Sequence, residues 1–219
     1  MKKVCFIEME GILTNYKDYT VDNNTANKFI ADFKSFSKEN NIKLYLLSGH
    51  HEKIAKEKFN NSFLKDFFSE DEFIFVDDNY IQNKHETDKM IHESNLEKDI
   101  EFSDSYFKQI IIQKILKELN LENSDALLFC KDVWVDAYYT TRFSKIDFAL
   151  FETNLLDRGK KTDLISGLVY YNFDFNKVKE LIENFPKLYT AQLEKKVNDE
   201  IKNVLLKDTD FSGLNKKRS

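Results

Sequence analysis

Two carboxylates, Glu8 and Glu10, close a short apolar run, Val4–Ile7, and stand two residues apart. On an extended chain side chains two apart point to the same side, and Gly11 directly afterwards permits a sharp turn. A second apolar run, Ile42–Leu47, ends in Ser48-Gly49-His50-His51, where a hydroxyl and backbone N–H groups at an expected helix start suit a phosphate or oxyanion. Lys108 stands near the start of a long amphipathic stretch. A later run, Ala126–Cys130, is followed by Asp132 and Asp136, which lie four apart and so share one face of a helix beginning there. Acids, a hydroxyl and a lysine are what is needed to hold a divalent cation beside a phosphoryl group. Carboxylate oxygens are hard ligands for Mg²⁺, and Ser48 and Lys108 suit phosphoryl oxygens.

These residues need a scaffold that gathers the ends of separate runs. Strands are predicted at Val4–Ile7, Ile42–Leu47, Phe73–Val76, Ala126–Cys130 and Ile146–Phe151. Between them, 3.6-residue periodicity predicts helices over Asn24–Glu39, Glu52–Phe68, Tyr106–Leu119 and Val133–Phe143. In Tyr106–Leu119 the apolar side is read as Phe107, Ile110, Ile111, Ile115 and Leu119. Apolar strands alternating with helices imply an α/β three-layer sandwich around a central parallel sheet, in which ligands bind at the carboxyl ends of the strands. Asp77–Asp104 is a charged insert, long for a connection, of the kind used as a lid or binding segment. The α/β domain is expected over residues 1–185. Residues 186–219 are expected to form a C-terminal helix and a basic tail, Asn215–Ser219. That helix either packs on its own sheet or serves a homodimer or a protein partner.

Composition narrows the function classes. Of 219 residues, 42% are hydrophobic and 14% aromatic, enough for a sizeable core. The formal charge of −5 speaks against non-specific binding to nucleic acid or anionic membranes. Two cysteines are too few for a disulfide framework, and Cys5 and Cys130 lie inside apolar runs as small buried hydrophobes. After Met-Lys-Lys, only Val-Cys-Phe-Ile precede Glu8, too short for the apolar region of a signal peptide, and a cytoplasmic setting is expected. With five glycines and one proline, turns must rely on Asn, Asp and Ser.

The arrangement resembles the haloacid dehalogenase-like (HAD) superfamily, most of whose members are Mg²⁺-dependent phosphatases. The first family motif, an apolar strand followed by Asp-x-Asp-Gly-x-x-Thr, is matched by Val4-Cys5-Phe6-Ile7-Glu8-Met9-Glu10-Gly11-Ile12-Leu13-Thr14. Leu44-Tyr45-Leu46-Leu47-Ser48-Gly49 matches the second. The third is a lone lysine, here Lys108, which precedes Asp132 by 24 positions; Lys114 is the weaker candidate. Asp132 and Asp136 match the fourth. The resemblance covers residues 3–151 and implies catalysis by Glu8, Glu10, Ser48 and Lys108. It also implies phosphate binding through Gly11, Ser48, Gly49 and Lys108, and Mg²⁺ held by Glu8, Glu10, Asp132 and Asp136. About 30 residues separate the first two motifs, room for one helix and no large cap domain.

One departure bears on the chemistry. Both first-motif aspartates are glutamates here. An extra methylene displaces a carboxylate by roughly 1 Å, and a misplacement of about 1 Å can cost on the order of 10²-fold in rate. The expected activity is slow phosphomonoester hydrolysis. The alternative is a catalytically silent binding or regulatory module on the same fold.

Other candidates have plainer readings. Lys131 is either a solvated loop lysine or a cation for Glu8 or phosphate. His50 and His51 are expected to open the following helix exposed to solvent, with substrate or metal contact the alternative. His85 and His92 lack partners at zinc-ligand spacing. Trp134, Tyr138 and Tyr139 are read as helix packing, and Arg142 and Lys145 as surface charges.

Overall fold

The computed structural model describes residues 1–14, 23–76, 105–131, 145–151 and 169–185, with isolated positions at 90, 191, 195–196 and 198–199. The expected helix at Val133–Phe143, nearly all of the insert and nearly all of the C-terminal helix lie outside the described residues.

Among the described residues six strands form one all-parallel sheet: β1 (Val4–Glu8), β2 (Lys43–His51), β3 (Phe73–Val76), β4 (Ala126–Cys130), β5 (Asp147–Phe151) and β6 (Tyr170–Tyr171). Their order is β3-β2-β1-β4-β5-β6. The direction of winding therefore reverses between β1 and β4, and the carboxyl ends part there to leave a crevice.

Period-two alternation sorts the sheet residues between two cores. Cys5 and Ile7 of β1, Leu44 and Leu46 of β2 and Leu127 and Phe129 of β4 face one side. Val4, Phe6, Leu128 and Cys130 face the other. Helices α1 (Asn23–Glu39), α2 (Glu52–Asn61) and α4 (Phe175–Glu183) contribute to the first core, and α3 (Ser105–Glu118) to the second. Helices on both faces explain why the strands read as continuous apolar runs.

In α1, Ala26, Phe29, Ile30, Phe33 and Phe36 recur at helical spacing and are all buried. The helix stops at Asn41, whose φ of 54° takes the left-handed conformation while Ile42 N–H reaches back to the Ser37 carbonyl, 2.8 Å. Helix α3 ends the same way, with Asn120 at φ 53° and Leu121 N–H on the Leu116 carbonyl at 2.9 Å. Asparagine thus does at both ends what glycine commonly does, as the composition anticipates.

The predicted helix Glu52–Phe68 is interrupted. It ends at Asn61, and Ser62, in an extended conformation, turns its hydroxyl to the Leu64 N–H and starts a separate short turn, Phe63–Asp66. A local side-chain hydrogen bond outcompetes the helix although Leu64 and Phe68 keep the apolar spacing and remain buried. Strand β2 runs four residues past its predicted end at Leu47. The buried stripe of α3 is also rotated from the predicted one: Ile111, Ile112 and Leu116 are buried, whereas Ile110, Ile115 and Leu119 are half-buried. No element is predicted between residues 152 and 185, where the structure has β6 and α4. Asp174 caps α4 by accepting from the Asn176 N–H at 3.2 Å.

An aromatic cluster joins α1 to the sheet and to α4. Phe29 lies 5.9 Å from Phe33, 5.7 Å from Phe151, 5.4 Å from Phe173 and 6.0 Å from Phe175, ring centre to ring centre. Replacing Phe29 by Ala opens a cavity among four rings. The expected loss is about 3–5 kcal/mol in urea unfolding, and a loss below about 1 kcal/mol would show that the cluster does not hold these elements together.

Candidate functional site

Strand β1 delivers Glu8 to the crevice on the α3 side, continuing the Val4–Phe6 alternation. Helix α3 delivers its partner. Lys108, Ile112 and Leu116 are spaced four apart, so the apolar stripe that docks α3 also carries Lys108 inward. Its Nζ donates to Glu8 Oε1 at 2.8 Å, and both side chains are about nineteen-twentieths buried. From β4, the Lys131 backbone N–H donates to Glu8 Oε2 at 3.2 Å. One carboxylate therefore joins β1, α3 and the end of β4. Lys131 is itself buried, which overturns its reading as a solvated loop lysine. Lys114 is exposed and sits 3.9 Å from Glu118, so of the two candidate lysines it is Lys108 that meets Glu8.

Glu10 has different partners, because the chain leaves the strand after Glu8. Met9 N–H still bonds the Leu47 carbonyl at 2.8 Å, and a tight turn then folds back, with Gly11 N–H on the Thr14 carbonyl at 2.7 Å and Thr14 N–H on the Met9 carbonyl at 2.8 Å. Gly11 has a φ of 83°, which a residue bearing a Cβ adopts only at a cost. The turn seats Glu10 where Ser48 Oγ donates to its Oε1 at 2.8 Å.

Ser48, Gly49 and His50 were expected at a helix start with free N–H groups. They lie instead in β2, at an irregularity where pairing with β3 jumps from Leu47↔Ile74 to His51↔Val76. The bulge re-aims the strand end, and the His50 N–H is used internally, donating to Ser48 Oγ at 3.2 Å. His50 and His51 are buried, not open to solvent, because α2 begins only at Glu52. Gly49 is buried beside Ser48.

One residue escaped the sequence reading. Lys58, on the buried face of α2 between Ala55 and Phe59, places its Nζ 2.6 Å from His50 Nε2. The signal was a lysine at an apolar-stripe position, one turn beyond Ala55. His50 Nε2 in turn lies 4.0 Å from Glu10 Oε1. The described site thus holds two buried carboxylates, Glu8 and Glu10, and three buried lysines, Lys58, Lys108 and Lys131.

Burial sets the protonation states. It pushes the Glu10 carboxyl above the usual carboxylate range, against the opposing pull of Lys58 and the Ser48 hydrogen bond. It also pushes His50 down to about 3, with the Lys58 charge acting in the same direction. Glu10 is therefore biased toward its acid form and His50 is neutral. Asp132 and Asp136, the remaining expected metal ligands, lie outside the described residues. Among the described residues no group of three His, Cys, Asp or Glu side chains is gathered as a metal cage. A groove of about 670 Å³ lies at the opposite end of β2, lined by Lys34, Lys43, Tyr45, Phe67 and Asp71, away from these groups.

No family model, no curated protein and no solved structure matches this chain.

The buried neutral histidine has a pH signature. Unfolded, His50 takes up a proton as pH falls through its ordinary 6.5; folded, it does not until about 3. In that window the unfolded chain binds one more proton, so stability falls with acidification by about 1.4 kcal/mol per pH unit. Between pH 7 and pH 5 the wild type is expected to lose about 2 kcal/mol more than His50→Gln in urea unfolding. Equal losses in the two proteins would contradict the buried neutral state.

Proposed function

We propose that this chain is a haloacid dehalogenase-like protein without a large cap domain that hydrolyses phosphomonoesters slowly with Mg²⁺ in the cytoplasm. The observation that carries the reading is the convergence of Glu8, held by Lys108, and Glu10, held by Ser48, at the point where the strand order reverses. Only α1 and the residues leading into it separate the Gly11 turn from β2, which favours an open site able to take a small or macromolecular phosphorylated substrate.

Each residue then has a task. A Glu8 oxygen attacks phosphorus in line, the bond from phosphorus to the leaving oxygen breaks, and an acyl phosphate forms. Glu10, biased by burial toward its acid form, gives its proton to the leaving oxygen. Water then attacks the same phosphorus while Glu10 takes its proton, and phosphate departs with Glu8 regenerated. Lys108 and Ser48, which hold carboxylate oxygens in this state, are donors of the kind that phosphoryl oxygens need. The longer side chain at position 8 makes the attack slow.

The donors present suit Mg²⁺ in kind: the Glu8 carboxylate and the Glu10 main-chain carbonyl are hard oxygens, completed in this reading by Asp132 and Asp136. When bound, Mg²⁺ neutralises charge on the phosphoryl group. Lys108 already offsets the Glu8 charge, so the affinity depends on those two aspartates.

One observation favours a second reading, a silent module that binds a phosphorylated ligand or a protein partner without turnover. Both Glu8 oxygens accept hydrogen bonds, from Lys108 and from the Lys131 N–H, and an oxygen so engaged is a poorer nucleophile.

Hydrolysis of an aryl phosphate separates the two readings. Slow Mg²⁺-dependent release of the phenol is expected, lost at least 100-fold in Glu8→Gln and raised in Glu8→Asp. Silence in all three proteins would contradict the hydrolase reading, and activity gained only in Glu8→Asp would establish the silent one.

A further inference from the structure

The Lys58–His50 pair lies beside Glu10, and the function proposed above leaves it unused. A lysine ammonium has three donors and no acceptor. At 2.6 Å from His50 Nε2 it can only donate, so Nε2 must present its lone pair. The neutral ring then carries its single hydrogen on Nδ1, which has no hydrogen-bond partner among the described residues. The opposite tautomer would set an N–H against an ammonium. That tautomer would also turn an N–H toward Glu10 Oε1, 4.0 Å from Nε2, close enough that a small ring movement completes a hydrogen bond.

We infer that Lys58 fixes the His50 tautomer and so acts, through His50, as a positioning residue for Glu10. With Nε2 committed to Lys58, the His50 ring offers Glu10 no donor. Ser48 is left as the side chain that hydrogen-bonds the Glu10 carboxyl, and Ser48 is itself placed by the His50 N–H. Lys58 thereby leaves Ser48, among the described residues, as the side chain that holds Glu10 in place. The tautomer is set by the fold and is independent of turnover.

Long-range ¹H–¹⁵N correlation spectra of the ¹⁵N-labelled full-length protein test it, in the wild type, Lys58→Met and Lys58→Arg. In the wild type His50 Nε2 is expected to resonate as an unprotonated nitrogen and Nδ1 as a protonated one. Lys58→Arg keeps a donor-only cation and retains that pattern. Lys58→Met exchanges it for Nε2–H, and the Glu10 side-chain ¹³C resonance shifts in that variant only. A wild type with hydrogen on Nε2 overturns the inference whether or not the variants fold, and so does a Lys58→Met spectrum identical to the wild type. If the tautomer is as inferred and aryl phosphate hydrolysis is absent, the hydrolase reading alone is lost.

Discussion

The buried ion pair between Glu8 and Lys108 is the constraint around which this end of the molecule is built. Removing either partner strands a charge where water does not reach, at a typical cost of about 3–5 kcal/mol. The pair therefore fixes what surrounds it. Helix α3 must dock with Lys108 inward, which rotates its buried stripe onto Ile112 and Leu116. The chain leaving β4 must bring the Lys131 N–H to the second Glu8 oxygen. Such a pair adds little net stability over an apolar replacement, and what it secures is one arrangement of three elements at the crevice.

The second half of the site is built differently. Glu10, Ser48, His50 and Lys58 come from the turn after β1, from the bulged end of β2 and from α2, on the other side of the sheet. Their contacts are mutually dependent: the His50 backbone places Ser48, Ser48 places Glu10, and Lys58 commits the His50 ring. Burial keeps His50 neutral and biases Glu10 toward its acid form. One carboxylate is clamped by charge and the other by neutral donors. Environments that differ in this way assign different roles to two chemically identical side chains.

Much of this was legible in the residues. Continuous apolar runs placed β1, β3, β4 and β5 to within a residue, because short apolar runs bounded by polar residues leave little ambiguity. Glu8, Glu10, Ser48 and Lys108 were identified because each follows a strand or opens a helix, and in the fold they pair as Glu8 with Lys108 and Glu10 with Ser48. The misses have specific causes. Ser-Gly-His-His has weak strand preference, and its extension of β2 is set by pairing with β3, a tertiary effect absent from the local pattern. Ser62 broke a periodic stretch through one hydrogen bond, which residue spacing does not register. Lys58 was not singled out, although its place beside Phe59 on the apolar stripe was the available clue. The two-residue β6 offers too few residues for any periodicity to be read.

A double-mutant cycle on Glu8 and Lys108 tests the governing role of this pair most directly. Urea unfolding would be followed for the wild type, Glu8→Met, Lys108→Met and the double variant. If the pair is the buried constraint, each single change destabilises by about 3–5 kcal/mol, and the double variant recovers most of that loss, leaving a coupling of at least about 2 kcal/mol. Single changes that cost little and add within about 0.5 kcal/mol would mean that the two charges do not depend on each other. The architecture of the site would then have to rest on something else.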